Sequence, residues 1–389
     1  MESSIIPFYA CFWHRVCLLT FDLEFIMENA DISSFFKDYR IAVTGAAGTV
    51  GQKLAQKLLS YPVKEVRLLD NNESALFLLG ESYINEPRAQ IFFADIRDKD
   101  KMAYVFKGIN FVFHAAALKH VSICERSPFS TVNTNIYGVQ NIIQASLANN
   151  VQKVLFTSSD KAVNSTNVMG TSKLMGERLM TAANILQSNE KATVFASTRF
   201  GNVAGSSGSV IPLFCQQILH KGVVSLTHSD MTRFVMTVDE AVRLLIETMV
   251  LANGGEVFIT KMEALKIKDM AEVMIDLLAP LSDFNSDQIK IVEIGIRTGE
   301  KLYEELMNEE EIQRSLELED FFIILPAFRN SYKNIDYVYG KPPVKPVEKS
   351  YNSRNSTTMS KDAIKSFLMR PNILPVEIYA KITGEKGSQ

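Results

Sequence analysis

The chain has 389 residues, 47% of them hydrophobic and 22% charged, with a formal net charge of -3. These are ordinary globular values, and the length suits one large domain plus a smaller one. A slight acidic excess without a lysine-rich tail argues against nucleic acid as the main partner. Cys11, Cys17, Cys124 and Cys215 are scattered with no metal or disulfide spacing, so no metal is expected and a reducing, cytoplasmic setting fits.

Residues 5–26, IIPFYACFWHRVCLLTFDLEFI, are apolar enough to raise a membrane anchor, but His14, Arg15, Asp22 and Glu24 interrupt them. A spanning helix needs about 20 apolar residues in succession. A secretory signal needs charge first and a small-residue cleavage site later. The expectation is therefore a disordered leader over 1–38, with a native start at Met27, ahead of a surface helix or a true anchor. No integral membrane span is expected.

From Arg40 short apolar runs alternate with amphipathic stretches. RIAVTG (40–45), EVRLLD (65–70), QIFFAD (90–95), NFVFHAA (110–116), KVLFTSS (153–159) and TVFASTRF (193–200) read as strands. Continuously apolar strands separated by helices predict an α/β fold, a doubly wound parallel sheet covered on both faces, with right-handed crossovers. The nucleotide-binding domain is expected over 39–205, with some later segments returning to it. A smaller α/β substrate subdomain should occupy 206–330. The tail, 331–389, is rich in Pro, Ser, Asn and Lys at 339–360 and should be irregular, with a short helix at KDAIKSFL.

VTGAAGTVG sets Gly45, Gly48, Thr49, Val50 and Gly51 between the first strand and its helix. Glycines there allow a tight turn and a close approach of backbone to pyrophosphate, whose charge is favoured at a helix N-terminus. Asp70, closing the next strand, stands where a carboxylate can accept hydrogen bonds from ribose hydroxyls and repel a 2′-phosphate. The following NNES contains no Arg or Lys, so NAD is favoured over NADP. In ADIRD, Asp95 and Ile96 are placed beside the adenine, with a helix N-cap as the other reading of Asp95. Ala115 and Ala116, after the fourth strand, complete the cofactor set.

HAAALKHVSICERSPF (114–129), NTNIYGVQN (133–141), SSDKAVNSTNVMGTSK (158–173), RFGNVAGSSGSVIPLF (199–214), MTRFVMT (231–237) and RTGEKLYEEL (297–306) occur in order. Together, over residues 40 to about 325, they resemble the UDP-N-acetylglucosamine 4,6-dehydratases, extended short-chain dehydrogenase/reductases that make bacterial surface sugars. The resemblance implies a hydro-lyase. Hydride leaves C4 of the sugar for NAD, the resulting ketone acidifies C5, water leaves C6, and the hydride returns to C6.

By that resemblance Asp160 is the acid for the C6 hydroxyl, Lys161 the base at C5, and Ser159 a hydroxyl at the sugar O4. Asp160 must be protonated, which burial favours. Lys161 must be partly neutral, which burial or a nearby cation such as Lys173 would bring about. Lys173 matches the lysine of the Tyr-x-x-x-Lys pair and should hold the nicotinamide ribose. The tyrosine position is Met169. A thioether takes no proton from an alcohol, and the Met-bearing subset of the family resembles enzymes that retain configuration at C5. The alternatives are a C5-inverting dehydratase, a UDP-sugar epimerase, or a silent NAD-binding scaffold.

The resemblance further implies contacts to UDP-N-acetylglucosamine. Lys119 and His120 would reach cofactor or sugar, with Ser122 standing where relatives often have Pro. Asn135 would bond backbone near the site, and Asn202 and Ser209 would flank a loop for the diphosphate or N-acetyl group. Arg233 would pair with the diphosphate or else form a structural salt bridge. Arg297, Glu300 and Lys301 would contact the uridine. A homo-oligomer is expected.

Overall fold

A computed structural model describes residues 32–384 apart from 186–191, 207, 297–298, 329–334, 336, 338 and 340–344. Most of the expected leader and Arg297 lie outside the described residues. Within the leader's last residues, Phe36 is fully buried and stacks on Tyr61 at 5.6 Å between ring centroids.

The main sheet contains, in chain order, β1 (Arg40–Thr44), β2 (Glu65–Asp70), β3 (Ala89–Phe93), β4 (Phe111–His114), β5 (Lys153–Ser159), β6 (Val194–Phe200), β7 (Val257–Thr260), β8 (Ser315–Glu317), β9 (Phe321–Ile324) and β10 (Lys345–Pro346). Their spatial order is β3-β2-β1-β4-β5-β6-β7, all parallel, continued by β9, β8 and β10 in antiparallel pairing. This is the doubly wound Rossmann arrangement. Its switch point lies between β1 and β4, where ligands bind beyond the strands' carboxyl ends.

β1, β4 and β5 read as largely apolar runs because both faces are covered, whereas the edge strand β3 leaves Gln90, Ile91 and Phe93 exposed. Ile41 and Val43 of β1 pack with Leu54 and Leu58 of the helix Thr49–Leu59 and Leu245 of Val238–Leu251. The residue between them, Ala42, faces the other layer, where Ile142 of Gly138–Ala148 and Met180 of Val168–Ala183 lie. The Val238 helix starts on a capping box, Thr237 with Glu240, the pattern that TVDE signals.

A second core joins Ile211, Phe214 and Ile218 of the helix Val210–Lys221 to Met270, Met274 and Leu278 of Ile267–Leu278. Ile364 and Phe367, from the expected tail helix Lys361–Leu368, close it. The tail also supplies Tyr351–Asn352, which pairs antiparallel with Glu305–Met307, and a helix Val376–Thr383. Among the described residues no helix is long and apolar enough to cross a membrane.

Candidate active site

At the switch point the glycine turn is built by close backbone contact. Gly45 has φ of +70°, and a Cβ there would lie 2.7 Å from the Ala116 amide nitrogen and 2.9 Å from the Ala115 carbonyl carbon. A Cβ on Gly51 would lie 2.2 Å from the Gly45 oxygen. Gly48 is the N-cap of the helix beginning Thr49-Val50 and has no side chain to close the free amides. Asp70 holds the turn in place: Oδ2 accepts from the Ala47 amide at 3.0 Å and Oδ1 from the Asn72 amide at 3.0 Å. These residues could hold a dinucleotide, with pyrophosphate on the backbone cradle and ribose at Asp70.

Asp95 is engaged more fully than expected. It accepts from Arg97 Nη2 at 2.6 Å, the Arg97 amide at 2.9 Å and Asn71 Nδ2 at 3.2 Å. The Arg97 hydrogen bonds lead in holding its carboxyl down at about 2. It is not a helix N-cap; that position belongs to Asp98. Ile96 is buried against Gly138, where a Cβ would meet Ile96 Cδ1 at 2.6 Å.

A cluster of Ser159, Asp160 and Lys161 forms where β5 ends. One 3-10 turn, Asp160–Ala162, follows, capped by the Ser159 hydroxyl, which also donates to Asp160 Oδ1 at 2.6 Å. Lys161 Nζ donates to the same Oδ1 at 2.9 Å. Asp160 is 1% exposed at its side chain, whereas Lys161 keeps 25%. Burial alone would lower the Lys161 pKa. Asp160 and Glu304 outweigh burial and raise its pKa above the ordinary lysine value. This corrects the expectation of a partly neutral amine: unliganded, the pair is an ion pair, and the neighbouring cation is Arg233, not Lys173.

Lys173 and Met169 share the buried face of Val168–Ala183. Lys173 Nζ donates to the Thr157 carbonyl of β5 at 2.8 Å and lies 4.7 Å from the Phe156 ring centroid. Burial lowers it to about 8. Met169 is 3% exposed, so an apolar side chain fills the tyrosine's place. Asn135, in a π-helical turn Asn133–Tyr137, accepts from the Leu118 amide at 2.8 Å and donates to the Leu118 carbonyl and the Ser172 hydroxyl. It ties the loop after β4 to the Lys173 helix. π-Turns of this kind recur at functional sites.

The outer contacts divide. Lys119 and His120 are exposed, and His120 borders the glycine-rich loop, 3.0 Å from where a Cβ on Gly208 would stand. Ser209 is the N-cap of the helix Val210–Lys221, yet its hydroxyl is buried with no hydrogen-bond partner among the described residues. Asn202 Nδ2 instead donates to the Phe234 carbonyl at 3.1 Å. Glu300 is half-buried in the segment that Asn167 Nδ2 anchors through the Gly299 carbonyl at 3.0 Å.

Arg233 departs from the diphosphate expectation. Nη1 and Nη2 donate to the carbonyls of Thr232, Leu302 and Lys301, and Nε faces Glu304 at 3.3 Å. In this structure the arginine clamps residues 301–304 near Lys161. Sequence reasoning missed Glu304, whose only signal was a second carboxylate in LYEEL. It also missed Gly170, where a Cβ would lie 2.1 Å from the Lys161 carbonyl oxygen.

A glycine turn at the switch point, an Asp–Lys pair closing β5 and a buried lysine on the following helix define a Rossmann-fold protein on the extended short-chain dehydrogenase/reductase plan. Residues 41–326 match the family described as "Polysaccharide biosynthesis protein", and the chain belongs to that family. An uncharacterized membrane protein of Methanocaldococcus jannaschii is 45% identical, covering 87% of this chain and 97% of the relative. A UDP-N-acetylglucosamine 4,6-dehydratase (inverting) of Campylobacter jejuni is 35% identical over 78% and 87%. A UDP-glucose 4-epimerase of Rickettsia rickettsii is 33% identical over 88% and 99%. Among solved structures, Pen from Bacillus thuringiensis is 39% identical with a TM-score of 0.80, covering 88% of this chain and 100% of Pen.

Proposed function

We propose that the chain catalyses NAD-dependent 4,6-dehydration of UDP-N-acetylglucosamine with retention at C5. The Asp160–Lys161 pair at the end of β5 carries this reading. Moving one proton from Lys161 Nζ to Asp160 Oδ1, across their 2.9 Å hydrogen bond, turns the resting ion pair into a carboxylic acid and an amine with no change in net charge. The acid can then protonate the departing C6 hydroxyl while the amine takes the C5 proton. Ser159, bonded to Asp160, would hydrogen-bond the sugar O4. The 4-hydroxyl proton leaves to solvent as the hydride departs, the Lys173 charge easing its loss. One proton returns from solvent after turnover to restore the Asp160–Lys161 ion pair.

The dinucleotide, when bound, supplies a reversible hydride acceptor. Asp70 supports NAD over NADP, since its carboxylate repels a 2′-phosphate, and the Arg97 charge is already paired with Asp95. Met169 supports retention and speaks against an epimerase that relies on tyrosine at this position. The inverting reaction is the second reading, favoured by the Campylobacter relative's name. A homo-oligomer is supported by exposed Ile123, Phe129, Tyr137 and Met175 on the flanking helices.

The test is to incubate the protein with UDP-N-acetylglucosamine and NAD in heavy water and follow the sugar by NMR. A 4-keto-6-deoxy product with deuterium at C5 and D-xylo configuration is expected. The L-arabino product would establish inversion, a C4 epimer would establish an epimerase, and an unchanged sugar would overturn all three.

A further inference from the structure

Lys161 has a carboxylate on two sides. Asp160 Oδ1 is 2.9 Å from Nζ and Glu304 Oε1 is 3.7 Å from it. The Glu304 side chain is 4% exposed. Each acid also has a buried oxygen, Asp160 Oδ2 and Glu304 Oε2, that accepts no hydrogen bond among the described residues. Glu304 is held there from both sides of its backbone: its amide donates to the Ser353 hydroxyl at 2.9 Å, and the Ser353 amide donates to its carbonyl at 2.8 Å.

We propose that Glu304 is a positioning residue for the acid–base pair, holding the Lys161 ammonium between two anions and setting the pH at which that lysine yields its proton. This rests on the dehydratase reading above. Two buried carboxylates so close together are costly unless cations stand beside them. Lys161, on the turn after β5, is one such cation, and Arg233, on the strand Thr232–Met236, is the other. Lys301 of Glu304's own segment also acts on it, and Ser353, just after the strand Tyr351–Asn352, adds an uncharged hydroxyl. Burial first, then Asp160, pushes the Glu304 carboxyl up. Replacing Glu304 by Gln keeps the volume but removes one anion, so Lys161 should lose its proton at lower pH.

The unliganded full-length protein is acylated with acetic anhydride across a pH series, and Lys161 modification is read by peptide mass spectrometry. In Glu304→Gln the midpoint should fall by about one pH unit, a ten-fold loss of proton affinity, while Glu304→Asp stays near the parent. An unmoved midpoint in Glu304→Gln overturns the proposal. In turnover, the limb of the pH–rate profile set by Lys161 should move to lower pH in Glu304→Gln. A kcat lowered equally at every pH, with the limbs in place, would show a merely structural role and also overturn it. A shifted Lys161 midpoint in a protein whose parent leaves UDP-N-acetylglucosamine unchanged would preserve the Glu304 assignment and remove the dehydratase reading. Dehydration with an unmoved midpoint would do the reverse.

Discussion

Gly170 rests against the carbonyl of Lys161 so closely that a Cβ at 170 would come within 2.1 Å of that oxygen and 2.6 Å of the Ser165 hydroxyl. The start of the Lys173 helix and the turn bearing Asp160 and Lys161 are thus one packed unit. Gly170→Ala should destabilise the protein by about 1–3 kcal/mol, the usual range for overpacking, and lower turnover by shifting Lys161. Gly80→Ala is the control: its Cβ would meet Ile91 Cγ1 at an ordinary 3.6 Å, and helix propensity should make it neutral or slightly stabilising. Thermal unfolding of both variants, with the heavy-water assay, checks this.

Lys161→Ala should abolish turnover and C5 deuteration while leaving dinucleotide affinity within about two-fold, because Lys161 follows β5 whereas the glycine turn follows β1. Calorimetric titration with NAD beside the NMR assay decides it. Near-normal dehydration would remove Lys161 as the C5 base.

Lys173 ties stability to pH. Its folded pKa, about 8, lies below the unfolded lysine value because burial penalises the ammonium. Below pH 8 both states hold the proton and the full penalty applies. Between pH 8 and roughly 10.4 the unfolded chain binds more protons, so stability from this group rises with pH. Lys173→Met should therefore be more stable than the parent at pH 7, with the advantage shrinking as pH climbs through that window. Denaturant titrations of the cofactor-free proteins from pH 7 to 10 read it directly. A constant difference would count against a buried ammonium.

Arg199 is buried between Glu177 and Glu311, with Nη2 at 2.8 and 2.7 Å from them and Nη1 also donating to the Leu306 carbonyl at 2.9 Å. It joins β6 to the Lys173 helix and to the segment that continues from Glu304. Glu311→Ala leaves part of that charge uncompensated and should cost about 3–5 kcal/mol, as removing one partner from a buried ion pair does. Chemical denaturation measures it, and a loss below about 1 kcal/mol, a surface-pair value, would contradict the burial.

Much of the fold was legible in local pattern. The central strands β1, β4 and β5 are largely apolar runs because both sheet faces are covered there, and VTGAAGTVG announces its own turn because Gly45 needs a positive φ. The nearness of Asp160, Lys161 and Lys173 to the end of β5 was legible because they are neighbours in one segment. Arg233 was not, since nothing in MTRF reveals that the carbonyls of residues 301 and 302 will take its donors. Glu304 was not either. LYEEL offers adjacent carboxylates, and only the pairing of Glu305–Met307 with Tyr351–Asn352 turns Glu304 inward.

The chain by itself thus determined the layers, the cofactor crevice and the residue types at the end of β5, all set by short-range periodicity and contiguous motifs. Tertiary structure alone decided the charge on Lys161. That charge is a sum over burial, Asp160, Glu304 and Arg233, and electrostatic energy depends on distance through space, not on separation along the chain.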